Sequence, residues 1–155
     1  MEITKRIEEL GEEMVESLKK FISINSVNPA FGGPGEKEKA DWLEGLLRDF
    51  GFEVERYDVK DDRGIWRSNV VAKIPGRNRE KTLWIVTHID TVPPGDLSLW
   101  ETDPFVPVVK DGKVYGRGAE DNGGSMIASI YAGKVLIDLG ITPEYNFGLA
   151  LVADE

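Results

Sequence analysis

Two stretches of this chain are almost continuously apolar and read as buried strands: Thr82-Leu83-Trp84-Ile85-Val86 and Phe147-Gly148-Leu149-Ala150-Leu151-Val152. Runs of this kind are expected of strands covered on both faces, inside a sheet flanked by helices. Helical periodicity supplies the flanks. Ile3, Ile7, Leu10, Met14, Leu18 and Phe21 recur at steps of three and four, which predicts an amphipathic helix from Glu2 to about Phe21. Trp42, Leu43, Leu46, Leu47 and Phe50 mark a second helix from about Glu36 to Phe50, with Gly51 placed to stop it, and a third runs from about Ser125 to Leu139 ahead of Gly140. Phe52 to Val59 alternates like a half-buried strand, and Asn69 to Ile74 is another. Phe105 to Tyr115 reads as a hairpin turning at Asp111-Gly112, and the Pro- and Gly-dense stretch from Ser26 to Gly35 as a loop. Helices alternating with buried strands imply a layered α/β fold with a mixed sheet.

Composition narrows the chemistry. With 28 acidic against 19 basic side chains, the net charge of −9 argues against nucleic acid or an anionic membrane as the main partner. The absence of cysteine excludes disulfides, thiolate zinc sites and cysteine nucleophiles together. A single histidine, His88, means that any metal chemistry must lean on Asp and Glu, or on residues this chain does not contain. The first residues lack the basic-then-apolar order of a signal peptide, and no apolar run approaches a membrane span, so a cytoplasmic protein of one domain is expected.

In open α/β sheets, ligands bind beyond the carboxyl ends of the strands. Three polar clusters fall at such places: His88-Ile89-Asp90 after the Trp84 strand, Glu120-Asp121 before the third helix, and Asp154-Glu155 after the last strand. Residues two apart on a strand share a face at about 6–7 Å, so Asp90 can fix the histidine tautomer from the ring nitrogen that faces away from a metal. The ordinary alternative is a locally bonded histidine and a turn-forming aspartate. The run Tyr115-Gly116-Arg117-Gly118-Ala119-Glu120-Asp121-Asn122-Gly123-Gly124-Ser125 is glycine-rich, yet it lacks the Gly-Lys-Ser/Thr ending of a phosphate loop. Alone it reads as a β-to-α turn with a capping acid, and Asp154-Glu155 alone as a solvated end. What the three clusters share is a hard or borderline metal ligand. Two metals about 3.5–4 Å apart, bridged by a carboxylate and a water, explain why Asp and Glu dominate.

Thr87-His88-Ile89-Asp90-Thr91-Val92-Pro93 resembles the signature H-x-D-x-V-P of a metallopeptidase family. It is followed in the family's order by Trp100, Asp103-Pro104-Phe105, Asp111-Gly112 and Tyr115-Gly116-Arg117-Gly118-Ala119-x-Asp121, while Ser26-Val27-Asn28-Pro29 and Ala153-Asp154-Glu155 also fit. The family includes succinyl-diaminopimelate desuccinylase, acetylornithine deacetylase, aminoacylase and glutamate carboxypeptidase. The resemblance implies a three-layer α/β/α catalytic domain with a mixed, mainly parallel sheet, of which residues 1–155 form the N-terminal part. It further implies a hydrolase that uses two zinc ions, or cobalt, to remove an acyl group from an N-acyl amino acid or to cleave a short peptide, most nearly a desuccinylase. A small-molecule substrate and a homodimeric whole protein follow from the same likeness. By resemblance His88 binds one metal, Asp121 bridges both, Asp90 orients His88, and Glu155 is the general base that takes a proton from water and passes it to the leaving amine. A cis peptide after Asp121 belongs to the same pattern.

Two departures qualify the match. Many members read x-K-G-G after the bridging aspartate, where this chain has Asn122-Gly123-Gly124. The family's second glutamate, a later acidic ligand, a later histidine and the lid or dimerisation domain all lie beyond the position of Glu155. A non-catalytic fragment that folds without a complete metal site is therefore the alternative. Arg117 is expected to hold its loop through backbone carbonyls, Trp100 and Phe105 to serve packing, and Glu120 to be a solvated or capping acid.

Overall fold

The structure is a computed structural model that describes residues 2–154. Four helices and six strands follow in the order α1 (Glu2–Glu9), α2 (Gly11–Ser23), α3 (Lys37–Asp49), β1 (Glu53–Lys60), β2 (Trp66–Ile74), β3 (Asn78–His88), β4 (Val108–Lys110), β5 (Lys113–Tyr115), α4 (Ser125–Asp138) and β6 (Tyr145–Val152). Among the described residues no helix is long and apolar enough to cross a membrane. The predicted first helix is in fact two. A single turn residue, Leu10 (φ −88°, ψ −2°), separates them just before Gly11, and Leu10 is buried in the core while α1 buries nothing.

The main sheet has the order β1-β2-β6-β3. It is mixed, as the sequence implies, but its balance differs from the mainly parallel sheet that the resemblance suggested. β1 pairs antiparallel with β2, and β2 with β6, so only β3 and β6 run parallel among the described strands. Connection length explains this: five residues between β1 and β2 permit only a reversal, whereas α4 between β3 and β6 carries the chain back to its starting end. The short β4–β5 hairpin turns at Asp111-Gly112, as spaced.

The core lies on one face of this sheet. Val70, Ala72 and Ile74 of β2 and Phe147, Leu149 and Leu151 of β6 form a single cluster with Leu43 and Leu47 of α3 and with Ile127, Ile130 and Val135 of α4. The described residues thus build two layers of the expected three. β3 corrects a second expectation. Instead of being covered on both faces it is an edge strand, with Leu83 62% and Val86 63% exposed.

Candidate metal centre

The parallel pairing of β3 and β6 sets His88 beside Val152, so the carboxyl ends of both strands open at the same edge. The ladder continues one step further, with Ile89 N donating to Val152 O at 2.7 Å, and Asp154 N then donates to Asp90 Oδ1 at 3.0 Å. His88 is buried at this edge. Its Nδ1 lies 2.9 Å from the main-chain oxygen of Asp90, while the Asp90 carboxylate stands 3.8 Å away. The sequence argument had the carboxylate facing the ring. The carbonyl takes that place because the carboxylate is engaged elsewhere, accepting from Asn28 Nδ2 at 2.7 Å and from Asp154 N.

On the other side of the ring, His88 Nε2 lies 3.0 Å from Asp121 Oδ1. Both ring nitrogens therefore face oxygen acceptors. A neutral imidazole has one N–H, so it can donate to only one of these two oxygens. Asp121 belongs to the irregular turn Ala119–Gly124, its carboxylate is 78% exposed, and the Asp121–Asn122 peptide is cis. With its amide oriented to satisfy both groups, Asn122 donates to His88 O at 3.0 Å and accepts from His88 N at 3.3 Å, which ties the turn to the end of β3. Gly123 allows the turn to close. A Cβ there would stand 2.5 Å from Gly118 O and 2.8 Å from the Phe21 ring.

Behind these residues runs a polar network anchored on two buried side chains, Glu36 and Arg67, that sequence reasoning missed. Asn28 Nδ2 also donates to Asp154 Oδ1 at 2.9 Å, bridging the segments that follow β3 and β6. Arg67 Nη1 lies 3.0 Å from the same Asp154 oxygen, and its Nε donates to Glu36, which is fully buried, at 3.0 and 3.1 Å. The Asn28 hydrogen bond, followed by Arg67, holds the Asp154 carboxyl below its ordinary range. Asp154 adopts a left-handed backbone (φ 66°) within this network. Asn28 belonged to a recognised motif, but Glu36 and Arg67 look in sequence like an ordinary helix start and an ordinary strand cation.

The structure thus brings together His88, Asp90 and Asp121, and joins Asp154 of the third cluster to Asp90 through its backbone N–H. Glu155, the expected base, lies outside the described residues. Among the described residues no group of three or more His, Asp or Glu side chains surrounds one point, whereas catalytic zinc takes three protein ligands. His88 and Asp121 have the right donor chemistry and converge, so they fit as two ligands of a metal site rather than as a whole one. They line a cavity of about 150 Å³ together with Asn28, Asp90 and Arg117. Arg117 does not hold its loop as expected: its guanidinium bonds no carbonyl among the described residues and instead stacks over Trp100, 5.5 Å from the ring centre.

Comparison with known proteins places the chain among metallopeptidase-like relatives. Residues 84–155 match the profile of peptidase family M20/M25/M40. The chain is 46% identical over 154 residues to an uncharacterised metallohydrolase of Methanocaldococcus jannaschii, covering 95% of this chain and 37% of that protein. It is 37% identical over 114 residues to the succinyl-diaminopimelate desuccinylase of Buchnera aphidicola, covering 74% of this chain and 27% of that enzyme. Human carnosine dipeptidase 1 superposes with a TM-score of 0.79 at 25% identity, over 97% of this chain and 33% of the dipeptidase. The chain therefore spans well under half the length of the relatives it matches.

Proposed function

We propose, on the match of residues 84–155 to peptidase family M20/M25/M40 and the 46% identity to a metallohydrolase, that this chain furnishes part of the metal site of a metal-dependent amide hydrolase acting on short peptides or N-acyl amino acids. The observation that carries the reading is the contact of 3.0 Å between His88 Nε2 and Asp121 Oδ1, with the opposite ring nitrogen anchored on the Asp90 carbonyl. That anchor turns Nε2 toward the cavity, and the Asn122 clamp keeps Asp121 in front of it. His88 and Asp121 would hold zinc, or cobalt in its place. The chemistry such an ion supplies when bound is Lewis acidity, which acidifies water and polarises the amide carbonyl. Glu155, carried over from the family pattern, takes the proton of the attacking water on its carboxylate and returns it to the departing amine nitrogen.

Within this reading, residues 1–155 are the N-terminal part of the catalytic domain of a cytoplasmic, homodimeric enzyme. The substrate is a small N-acyl amino acid, a succinyl-diaminopimelate-like compound first among them, with dipeptides as the second class. Relatives named for both kinds of substrate support that pair of classes. A second reading is favoured by the two-ligand count: this chain alone binds metal incompletely and is not catalytic.

The test is a hydrolysis assay on the zinc- or cobalt-supplemented chain with a dipeptide, an N-acetyl amino acid and an N-succinyl amino acid. Turnover abolished in both Asp121→Asn and Glu155→Gln supports the first reading. Turnover that survives Glu155→Gln removes the assignment of the base. Metal uptake without hydrolysis of any of the three supports the second reading.

A further inference from the structure

Two residues of β2 reach the segment that follows β6. Asn69 Oδ1 accepts from Ala153 N at 2.9 Å, and Arg67 Nη1 stands 3.0 Å from Asp154 Oδ1. Positions two apart on a strand share a face, so one face of β2 holds two consecutive residues of that segment. Asp154 takes its left-handed backbone here (φ 66°), a conformation that short polar side chains reach by hydrogen-bonding nearby groups. The turn brings Asp154 N to Asp90 Oδ1 at 3.0 Å and Asp154 Oδ1 to Asn28 Nδ2 at 2.9 Å.

Arg67 is the fixed point of this arrangement. Its side chain is 7% exposed, and Nε and Nη2 seat it on the buried Glu36, which leaves Nη1 to face the loops. Nη1 lies 4.0 Å from Asp61 Oδ2 in the β1–β2 turn, and Arg63 of that turn donates to Pro29 O at 3.2 Å, beside Asn28. The Asp154 side chain is 60% exposed, so it meets a guanidinium that is held far more firmly than itself. Asn28 closes the circuit. Its backbone N donates to Thr91 O at 2.9 Å, and its side-chain amide nitrogen donates to both Asp90 Oδ2 and Asp154 Oδ1. Two carboxylates sharing one amide nitrogen repel each other, and Arg67 supplies the opposite charge on the Asp154 side.

We propose that Arg67 is a positioning residue of the candidate metal centre. Seated on Glu36, it locks Asp154 against Asp90. It thereby fixes the segment after β6, which leads to Glu155, relative to the segment after β3, which begins at His88. Asp90 passes the constraint on, because its carboxylate is held by Asn28 and Asp154 while its main-chain oxygen faces the His88 ring. An apolar pair of similar volume would match the stability of the Glu36–Arg67 pair but would not hold Asp154. The proposal rests on the amide-hydrolase reading above and extends its machinery to a residue that touches neither metal nor substrate.

The test compares the full chain with the Glu36→Met/Arg67→Met double variant, which removes both buried charges together. Arg67→Met alone leaves Glu36 uncompensated and reports on folding instead. Thermal unfolding of the double variant should stay close to that of the parent while two local readings move. In calorimetric titration zinc should bind about tenfold to a hundredfold more weakly, the range for losing a group that orients a metal ligand. In zinc-free protein the Asp154 N–H should exchange with solvent about tenfold faster, while the amides of the β2–β6 ladder keep their rates. Arg67→Lys keeps a cation on Glu36 but lacks the fork that also reaches Asp154, so it should move both readings the same way and decides the matter if the double variant unfolds early. Parental zinc affinity in either folded variant overturns the proposal, as does unchanged exchange at Asp154. A parent that takes up no zinc counts against the function proposed above instead, and the exchange measurement then still decides whether Arg67 locks Asp154 to Asp90.

Discussion

Lys39 carries an amine into the core beneath the candidate centre. It is 1% exposed, and its Nζ lies 3.8 Å from the centre of the Phe21 ring, the ring against which Gly118 and Gly123 pack. Burial pushes its pKa from 10.5 down to about 7, with the Asp90 charge pulling the other way. Between those two values the unfolded chain binds a proton that the folded chain has released, so this group makes stability rise with pH across the window. Below about pH 7 the cost of burying the charge is fully present. Urea unfolding should therefore show Lys39→Met more stable than the parent at pH 6 and a flatter rise toward pH 10; an unchanged slope would show that Lys39 is not the source. Arg67→Met tests a different kind of charge. It leaves Glu36 buried and uncompensated and should cost about 3–5 kcal/mol in the same assay, as expected when one partner of a buried pair is removed. Neither charge was legible in sequence, because its meaning depends on a partner or a burial set by distant segments, Glu36 standing 31 residues from Arg67. His88, Asp90 and Asp121 were singled out in sequence by the spaced motif that carries the resemblance, and the structure brings the three close together.

At the scale of elements, periodicity and turn signals located the strands and the helices apart from the division of the first helix into α1 and α2, but they did not give their neighbours. The apolar run at Leu83-Trp84-Ile85-Val86 was recognised as a strand, yet local pattern alone cannot distinguish an interior strand from an edge whose outer side has no described partner. The same blindness hid the bend at Leu10, where the helical repeat continues across a break in the helix. Close packing adds constraints that periodicity also overlooks. Gly133 in α4 sits where a Cβ would come 2.4 Å from the Phe52 ring, so the helix and the start of the sheet meet without a side chain between them. Gly133→Ala should destabilise the chain by about 1–3 kcal/mol through overpacking, less up to about 1 kcal/mol gained in helix propensity. Thermal unfolding checks this, and a stabilised variant would mean that Phe52 moves aside freely.

For the whole molecule, the core accounts for one face of the sheet and leaves Trp84 and Val86 on the other, 43% and 63% exposed. An exposed apolar edge strand invites association, which the net charge of −9 opposes only weakly at physiological salt. Sedimentation velocity should show self-association that Val86→Lys reduces; a strictly monomeric parent at high concentration would contradict it. The account of the molecule as a whole rests on His88 and Asp121 forming a metal-binding pair, and zinc titration by calorimetry tests that claim most directly. The predicted result is binding of one equivalent, weaker than a complete three-ligand site, and lost in both His88→Ala and Asp121→Asn. Binding that persists undiminished without His88, or two tightly held equivalents on this chain, would contradict it.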